Sequence, residues 1–259
     1  LAGVGNLPFE FKSSITLVGG SGFWIADAMA EKAHEAGCQL LSPSAAIALH
    51  LENCIRGHAP ELLTHECVSQ ILGDLKEKSP SLVEEFVPDL VKPRQLQKVL
   101  QDLLLEGVSI RDTETILEST GSSFSENLKY EKVLSEVRKS LSRALSSSRL
   151  ENDGQLHAII LDPELENLVE SRIIETVDGE MLSLEAMERE QIREHTSEKL
   201  TELRAAGHKS VVLCRSEIRR HLWKLLGTRV PGLSVLAYEE VSEDIKVELH
   251  GTVDKEMVP

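Results

Sequence analysis

The stretch SLVEEFVPDLVKPRQLQKVLQDLLLEGVSIRDTETILE, residues 81–118, decides the fold of this chain. Its apolar residues recur at steps of three and four, which is the period of amphipathic helices. Pro93 can open a helix because the first turn does not use the amide proton that proline lacks. Gly107 accepts the left-handed backbone conformation that often ends a helix. Ser109 and Asp112 resemble a capping pair. We expect three helices, whose buried faces are Leu82, Val83, Phe86 and Leu90, then Leu96, Val99, Leu100, Leu103 and Leu104, then Ile110, Thr113, Ile116 and Leu117.

The same reading extends to the flanking sequence. Upstream, we expect one or two strands within residues 1–23, a helix over 24–36, a strand over 38–41, a helix from Ser42, and a break at Pro60. Downstream, apolar spacing over 130–145 predicts one long helix. After residue 154 strands alternate with helices, including a helix from Pro163 through Ile174 and another from Ser183 to Gly207. The chain should therefore contain an all-α domain at residues 63–145 and an α/β layer domain at 146–259.

Composition and charge exclude several classes of function. The 259 residues carry a net charge of −15 and only 3% aromatic residues, so a nucleic-acid partner is unfavourable. Arg215, Arg219, Arg220 and Lys224 form a local basic group, for which a solvated helix face is the simpler interpretation. Four scattered cysteines favour a reducing compartment over a disulfide framework. The sequence contains no apolar run long enough to cross a bilayer.

Three sequence patterns are candidates for a metal site, a phosphate-binding loop and an acid–base pair. The spacing of His50, Cys54 and His58, with His65 and Cys67 following, would suit a zinc site, although interleaved apolar residues favour packing. The glycine-rich VGGSGFW stretch lacks the Lys-Ser or Lys-Thr of a phosphate loop. Asp162, Glu164 and Glu166 could serve as acids or bases, but Asp162 before a proline is better interpreted as a helix N-cap. The sequence thus predicts no catalytic residue, no metal site and no cofactor.

Beyond these patterns, the amino-acid sequence itself resembles that of a known family. The resemblance is carried by residues 82–118 and extends through FWIADAMAEKAHEAG, PSAAIALHLENCIRGHAPELL, ILDPELENLV, AAGHKSVVLC and VPGLSVLAYEEV, so it covers nearly the whole chain after Gly19. On these motifs the chain is similar to the export-gate protein of bacterial type III secretion systems, whose injectisome branch fits best. The resemblance implies an α+β, multi-subdomain fold with a partial small α/β subdomain at residues 1–42, a linking helix at 43–62, and the helical and α/β domains given above.

The resemblance also implies a function and partners. Family members form a homo-oligomeric ring of nine subunits through the helical domain, and bind the ATPase stalk protein, a gatekeeper and chaperone–substrate complexes. They are inner-membrane proteins whose membrane segments have no counterpart here, so the chain is expected to be a part that faces the cytoplasm. We consider Arg94, Arg111, Asp112 and Glu118 as ring-interface candidates, against caps and ion pairs within one subunit.

Two further expectations complete the comparison with the family. Val18 and Leu49 occupy the positions of its chaperone-docking dimple but differ from the flagellar pattern, and core packing explains them equally well. The alternative function is a small-molecule or nucleotide-binding regulator or enzyme that uses the α/β layer, which fold analogy alone supports.

Overall fold

The computed structural model describes residues 13–17, 20–36, 38, 40–177, 179–227, 230 and 232–255. Clustering of backbone contacts divides the chain into two compact units, Leu1–Ala59 and Pro60–Pro259. Across the part of the chain that the structure describes, the helices lack the combination of length and apolar character needed to cross a bilayer.

The first unit contains a hairpin and helices. Strands β1 (Ser13–Leu17) and β2 (Gly20–Trp24) pair antiparallel, with Ser13 opposite Trp24. A 3₁₀ turn at Asp27–Met29 leads into α1 (Ala30–Glu35). The helix predicted from residue 24 was wrong at its start, because Trp24 pairs in the hairpin. The strand predicted at 38–41 was also wrong, since Cys38, Leu40 and Leu41 lie outside any strand.

Helix α2 (Pro43–Leu62) begins in the first unit and contains Pro60. The predicted break at Pro60 was wrong, because the proline lies in the last turn and removes only one hydrogen bond before the helix ends anyway. The chain turns instead at Thr64, whose side-chain oxygen accepts a hydrogen bond from the amide of Cys67 and caps the next helix. The cap satisfies a donor that the first turn would leave unpaired.

Six helices follow and enclose one apolar core. They are α3 (His65–Lys78), α4 (Pro80–Phe86), α5 (Pro93–Leu105), α6 (Thr113–Ser125), α7 (Tyr130–Ser140) and α8 (Ser142–Ser147). The single helix predicted over 130–145 is divided at Leu141, which caps both neighbours and turns its side chain into the core. The fully buried members of this core include Val68, Val91, Val99, Leu103, Ile116, Leu117, Val133 and Val137.

The end of α5 and the start of α6 show how local sequence determines where these helices end and begin. Gly107 has φ +70°, and the amide of Val108 donates to the carbonyl of Leu103, so α5 ends in the predicted left-handed exit. The capping prediction for α6 was wrong at Ser109. Asp112 is the N-cap, and its Oδ1 accepts from the amide of Thr115 at 3.2 Å.

The remaining residues of the second unit form an α/β layer. Its elements are β3 (Leu156–Leu161), α9 (Pro163–Ser171), β4 (Ile173–Thr176), β5 (Gly179–Leu182), α10 (Ala186–Ala205), β6 (Val211–Cys214), α11 (Ser216–Leu226), β7 (Ser234–Ala237) and β8 (Val247–Val253). Four strands form a parallel sheet in the order β7-β6-β3-β8, and β4 and β5 form a separate antiparallel hairpin.

Two predicted helix bounds in this layer were wrong. Helix α9 stops at Ser171 because Ile173 and Ile174 enter the hairpin rather than continuing the helix. Helix α10 starts at Ala186 rather than Ser183, because the Glu188 carboxylate accepts from the backbone amide of Glu185 and closes the first turn.

The sheet is buried on both faces. One face carries Ile159, Leu161, Val212 and Cys214 against the apolar sides of α9, α10 and α11, while Leu156, Ala158, Val211 and Leu213 fill a smaller cluster on the other face. Burial on both faces accounts for the near-continuous apolar runs that the sequence showed at β3 and β6.

Candidate interaction site

The predicted ring-interface residues lie on α5, on α6 and in the segment just before α6. Arg111 and Asp112 precede α6, and together with residues of α3 they line a shallow cleft whose members are Ile71, Asp74, Leu75, Lys78, Thr113 and Glu114. Arg94 lies in the first turn of α5 and is not part of this cleft, and Glu118 lies further along α6. Of the four predicted residues, the neighbours Arg111 and Asp112 therefore line this cleft, and Arg94 and Glu118 do not.

All four side chains are exposed, but they differ in their partners. Both carboxylate oxygens of Asp112 are used by α6, since Oδ2 also accepts from the Thr115 hydroxyl at 2.9 Å. Within the described residues, no ion pair involves Arg94, Arg111 or Glu118. Asp112 thus acts as a cap within the chain, whereas the other three charges remain available to a second molecule.

The two predicted chaperone-docking positions are Val18 and Leu49. Val18 lies outside the described residues. Leu49 is exposed on α2, so core packing does not account for it. The apolar side of α2 is exposed as well, with Ile47 67% and Leu51 57% accessible. Within the described residues this is an uncovered apolar helix face, of the kind that marks interaction sites.

Buried ion pairs join the helical region to the α/β layer, and the sequence analysis missed them. Arg138 on α7 donates from Nε and Nη2 to the two carboxylate oxygens of Glu240, each at 2.7 Å. Its Nη1 lies 3.1 Å from Oε2 of Glu106 as an ion pair without hydrogen-bond geometry. Arg219 on α11 donates to both oxygens of Glu106. These four side chains, which we call the junction cluster, are at most 4% exposed and balance in charge.

A second, less buried set of contacts supports the junction. Arg220 on α11 donates from Nη2 to Asp102 at 2.9 Å and from Nη1 to Glu131 at 2.6 Å. The hydroxyl of Tyr130 donates to Asp102 at 2.7 Å, and Lys98 lies over the Tyr130 ring at 4.1 Å. Burial, followed by the hydrogen bond to Asp102, raises the pKa of Tyr130 above its ordinary value.

In the basic group of the sequence analysis, Arg215, Arg219 and Arg220 are therefore not part of a solvated helix face, whereas Lys224 is exposed as expected. Arg219 and Arg220 pair with acidic residues of α5, α7 and the 3₁₀ turn Tyr238–Glu240, and Arg215 donates to Glu166 of α9 at 3.1 Å. The partners lie 21 to 118 positions away in the sequence, so local charge patterning could not reveal them.

The junction cluster leads to a prediction about acid stability. Burial alone would raise the pKa of Glu106, but the attraction of Arg219 and Arg138 outweighs it and lowers that pKa below its ordinary value of 4.5. The unfolded chain then binds this proton at higher pH than the folded chain does. The stabilisation is fully present above about pH 4.5 and is lost as the pH falls through the lower folded-state pKa. In urea titrations from pH 6 to pH 3, Glu106→Gln should show a shallower loss of stability than the unchanged chain; parallel curves would contradict this.

The acid–base candidates are engaged in structural contacts. Asp162 is the N-cap of α9, as predicted, and its Oδ1 accepts from the amide of Glu164 at 2.8 Å. Glu166 is buried and accepts from the backbone amide and the guanidinium of Arg215. These groups lie at the carboxyl ends of β3 and β6, where an α/β sheet would bind a ligand. There their hydrogen bonds hold the loops that follow the strands.

The metal pattern in α2 does not assemble a site within the described residues. The Cys54 thiol lies 3.6 Å from Nε2 of His50, and Cys67 is engaged with Thr64. Three other histidines, His157, His208 and His250, are brought together by the α/β layer. No local sequence pattern joins these three, since 93 residues separate the first from the last.

Comparison with known proteins identifies a family and relatives with similar sequences. Residues 10–246 match the FHIPEP family. The chain is 31% identical over 233 residues to the flagellar biosynthesis protein FlhA of Treponema pallidum, covering 89% of this chain and 33% of that relative. It therefore spans about a third of that relative's length.

Solved structures share the fold. A cryo-EM structure of nonameric SctV-C from EPEC matches with a TM-score of 0.80 at 22% identity, covering 98% of this chain and 76% of that one. The Chlamydia pneumoniae CdsV protein, in a structure with CdsO, matches with a TM-score of 0.78 at 25% identity, covering 89% and 68%. The fold is that of the cytoplasmic domains of type III secretion export-gate proteins. The chain belongs to the FHIPEP family. Its assignment to the injectisome branch stays a prediction.

Proposed function

We propose that this chain is the cytoplasmic domain of the major export-gate component of a bacterial type III secretion system. The match to the FHIPEP family over residues 10–246 carries this proposal. The domain works by binding other proteins and performs no chemistry of its own. The full-length protein resides in the inner membrane through segments outside this chain, and this part faces the cytoplasm.

The domain acts as a subunit of a homo-oligomeric ring. The similarity to nonameric SctV-C supports nine subunits, and we assign residues 63–145 as the ring-forming domain, between 1–62 and the α/β domain at 146–259. A closed ring requires two different, complementary faces on each subunit. Arg94, Arg111 and Glu118 are exposed charges that form no ion pair with a described residue, so we place them in these faces. Asp112 contributes by fixing the start of α6 next to Arg111.

Reversing the charge at Arg111 should weaken the ring. Like charges placed at a protein interface are repulsive, so Arg111→Glu should shift the concentration at which oligomers form upward by about tenfold or more. Light scattering across a concentration series measures this shift. Lys246→Glu is the matched control, because it changes an exposed lysine of the α/β layer by the same charge and should leave assembly unchanged. Equal effects of the two variants would remove Arg111 from the interface.

The ring docks the proteins that it handles. The stalk protein of the associated ATPase is one of them, and the solved complex of CdsV with CdsO supports a protein partner for this part of the chain by similarity. We place its contact on the α/β domain. Chaperone–substrate complexes dock near Val18 and Leu49, and the exposure of Leu49 on an uncovered apolar helix face supports this position. A gatekeeper protein binds the same cytoplasmic domain.

The alternative function, a nucleotide-binding regulator or enzyme, would require free groups at the carboxyl ends of the parallel strands. Asp162 and Glu166 occupy these ends in structural contacts. A nucleotide-binding assay with ATP and GTP separates the two functions, and saturable binding at micromolar concentration would favour the alternative.

A further inference from the structure

The α/β layer brings three histidines from distant parts of the sequence to one place. His157 lies on β3, His250 on β8, and His208 in the loop after α10. One ring nitrogen from each lies within 4.8 Å of those from the other two. His157 is buried and the other two are half-buried, so the cluster is reachable from solvent. Convergent imidazoles in an accessible position are the donor set that transition-metal ions use most often.

A β-bulge shapes one side of the cluster. The register of β3 and β8 shifts between the pairs Ala158–Leu249 and Ile160–Thr252, so His250 and Gly251 together oppose Ile159. Gly251 has φ +145°, a backbone conformation that favours glycine. Bulges re-aim side chains next to functional sites. Here the bulge accompanies an approach of His250 Nε2 to 2.7 Å from Nδ1 of His157.

Two carboxylates set which nitrogens carry protons. Asp153 Oδ2 lies 2.8 Å from Nε2 of His157, and Glu151 Oε2 lies 2.9 Å from Nδ1 of His208. Ionised carboxylates only accept hydrogen bonds, so these two ring nitrogens are the donors.

The remaining nitrogens then suit a metal ion. In neutral rings, His157 Nδ1 and His208 Nε2 carry lone pairs, while His250 Nε2 donates to His157 Nδ1. A metal ion replaces this hydrogen bond: the two nitrogens move further apart than 2.7 Å so that each can form a bond of about 2.0–2.1 Å to the ion, and the proton of His250 moves from Nε2 to Nδ1 of the same ring. Carboxylates that hold the outer nitrogens of ligating histidines fix ring orientation and raise ligand basicity. Their two negative charges also compensate the charge of a divalent ion.

We propose that His157, His208 and His250 bind a divalent transition-metal ion, for which Zn²⁺ is the best match. Zinc accepts three imidazoles and keeps a fourth position for water or another ligand. The rings of His157 and His208 are stacked, with centroids 3.9 Å apart and an interplanar angle of 17°. Their lone pairs are therefore nearly parallel, and the more exposed His208 ring rotates toward the ion on binding. This site is independent of ring assembly and of the proposed export function.

The test is titration of the whole chain with Zn²⁺ alone, by calorimetry and by competition with a chelating dye. We expect one ion per chain at this site. Asp153→Asn should weaken its affinity by about 10–100-fold, the usual effect of removing a carboxylate behind a ligand, and His250→Ala should weaken it further. The double variant His50→Ala/Cys54→Ala is the matched control and should retain this ion.

Two further measurements test whether the three histidines bind the ion. The ¹⁵N chemical shifts of the imidazoles should change at His157 Nδ1, His208 Nε2 and His250 Nε2, and Zn²⁺ should raise the melting temperature of the unchanged chain but not of His250→Ala. Melting in a metal chelator shows whether His250→Ala itself folds; if it does not, Asp153→Asn and the imidazole shifts decide. Absence of binding at 100 µM Zn²⁺, or binding that is unaffected by His250→Ala or Asp153→Asn, would overturn the proposal.

Discussion

Arg138→Ala is expected to destabilise the second unit by about 3–5 kcal/mol, the range measured when one partner of a buried ion pair is removed. Without Arg138, Glu106 and Glu240 share only Arg219, and one negative charge remains buried without a full partner. Glu240 also loses two hydrogen bonds of 2.7 Å. Urea unfolding followed by circular dichroism measures the difference in the free energy of unfolding.

The neighbouring residue supplies the control for this experiment. Lys139 is the next residue on α7, is exposed, and makes no ion pair with a described residue. Lys139→Ala should therefore change stability by no more than about 0.5 kcal/mol. The double variant Arg138→Met/Glu240→Leu removes both charges and should cost much less than the sum of the single variants. Similar losses for Arg138→Ala and Lys139→Ala would show that the junction cluster does not stabilise the fold.

Gly121→Ala is expected to destabilise the helical core by about 1–3 kcal/mol, the usual cost of an added methyl group in a well-packed interior. A Cβ at Gly121 would lie 2.1 Å from Cδ1 of Phe86, so α4 and α6 could not keep their present separation. Both residues are buried, and Phe86 belongs to the core of the helical region. Thermal and urea unfolding of the variant measure the loss.

A glycine in a neighbouring helix tests whether packing causes this effect. Gly73 lies inside α3, and a Cβ there would meet nothing within 4 Å. Gly73→Ala should stabilise the chain by about 0.5–1 kcal/mol, because alanine favours the helix and nothing opposes it. A gain in stability at Gly121 of the same size as the gain at Gly73 would show that helix propensity, and not contact with Phe86, determines the effect.

Much of the fold could be predicted because the apolar period is strong where helices are amphipathic. The buried side chains of α5 were predicted residue by residue, since Leu96, Val99, Leu100 and Leu103 repeat at helical spacing. The β4–β5 hairpin was missed, because strands of four residues are too short to show an alternation that differs from a helix end. The start of α6 was misplaced because Ser109 and Asp112 are both good caps.

The sites were harder to predict than the fold. The exposure of Glu118 could be expected, since it lies on α6 opposite the apolar side. Arg219 could not be assigned correctly, because its partners Glu106 and Glu240 come from other elements and only the tertiary structure pairs them. The histidine cluster has the same origin, since strand pairing and a bulge bring its members together. Sequence spacing reveals sites that lie on one helix or loop, and neither cluster does.

The strand order β7-β6-β3-β8 has a consequence for how the chain is made. Strand β3 lies between two partners that both follow it in the sequence, and β8 emerges from the ribosome more than 80 residues later. At ordinary translation rates that interval is on the order of ten seconds. During this time one edge of an apolar strand has no native partner, which is the condition under which nascent chains aggregate or require chaperones. The helical region is complete before β3 appears, so it can fold first.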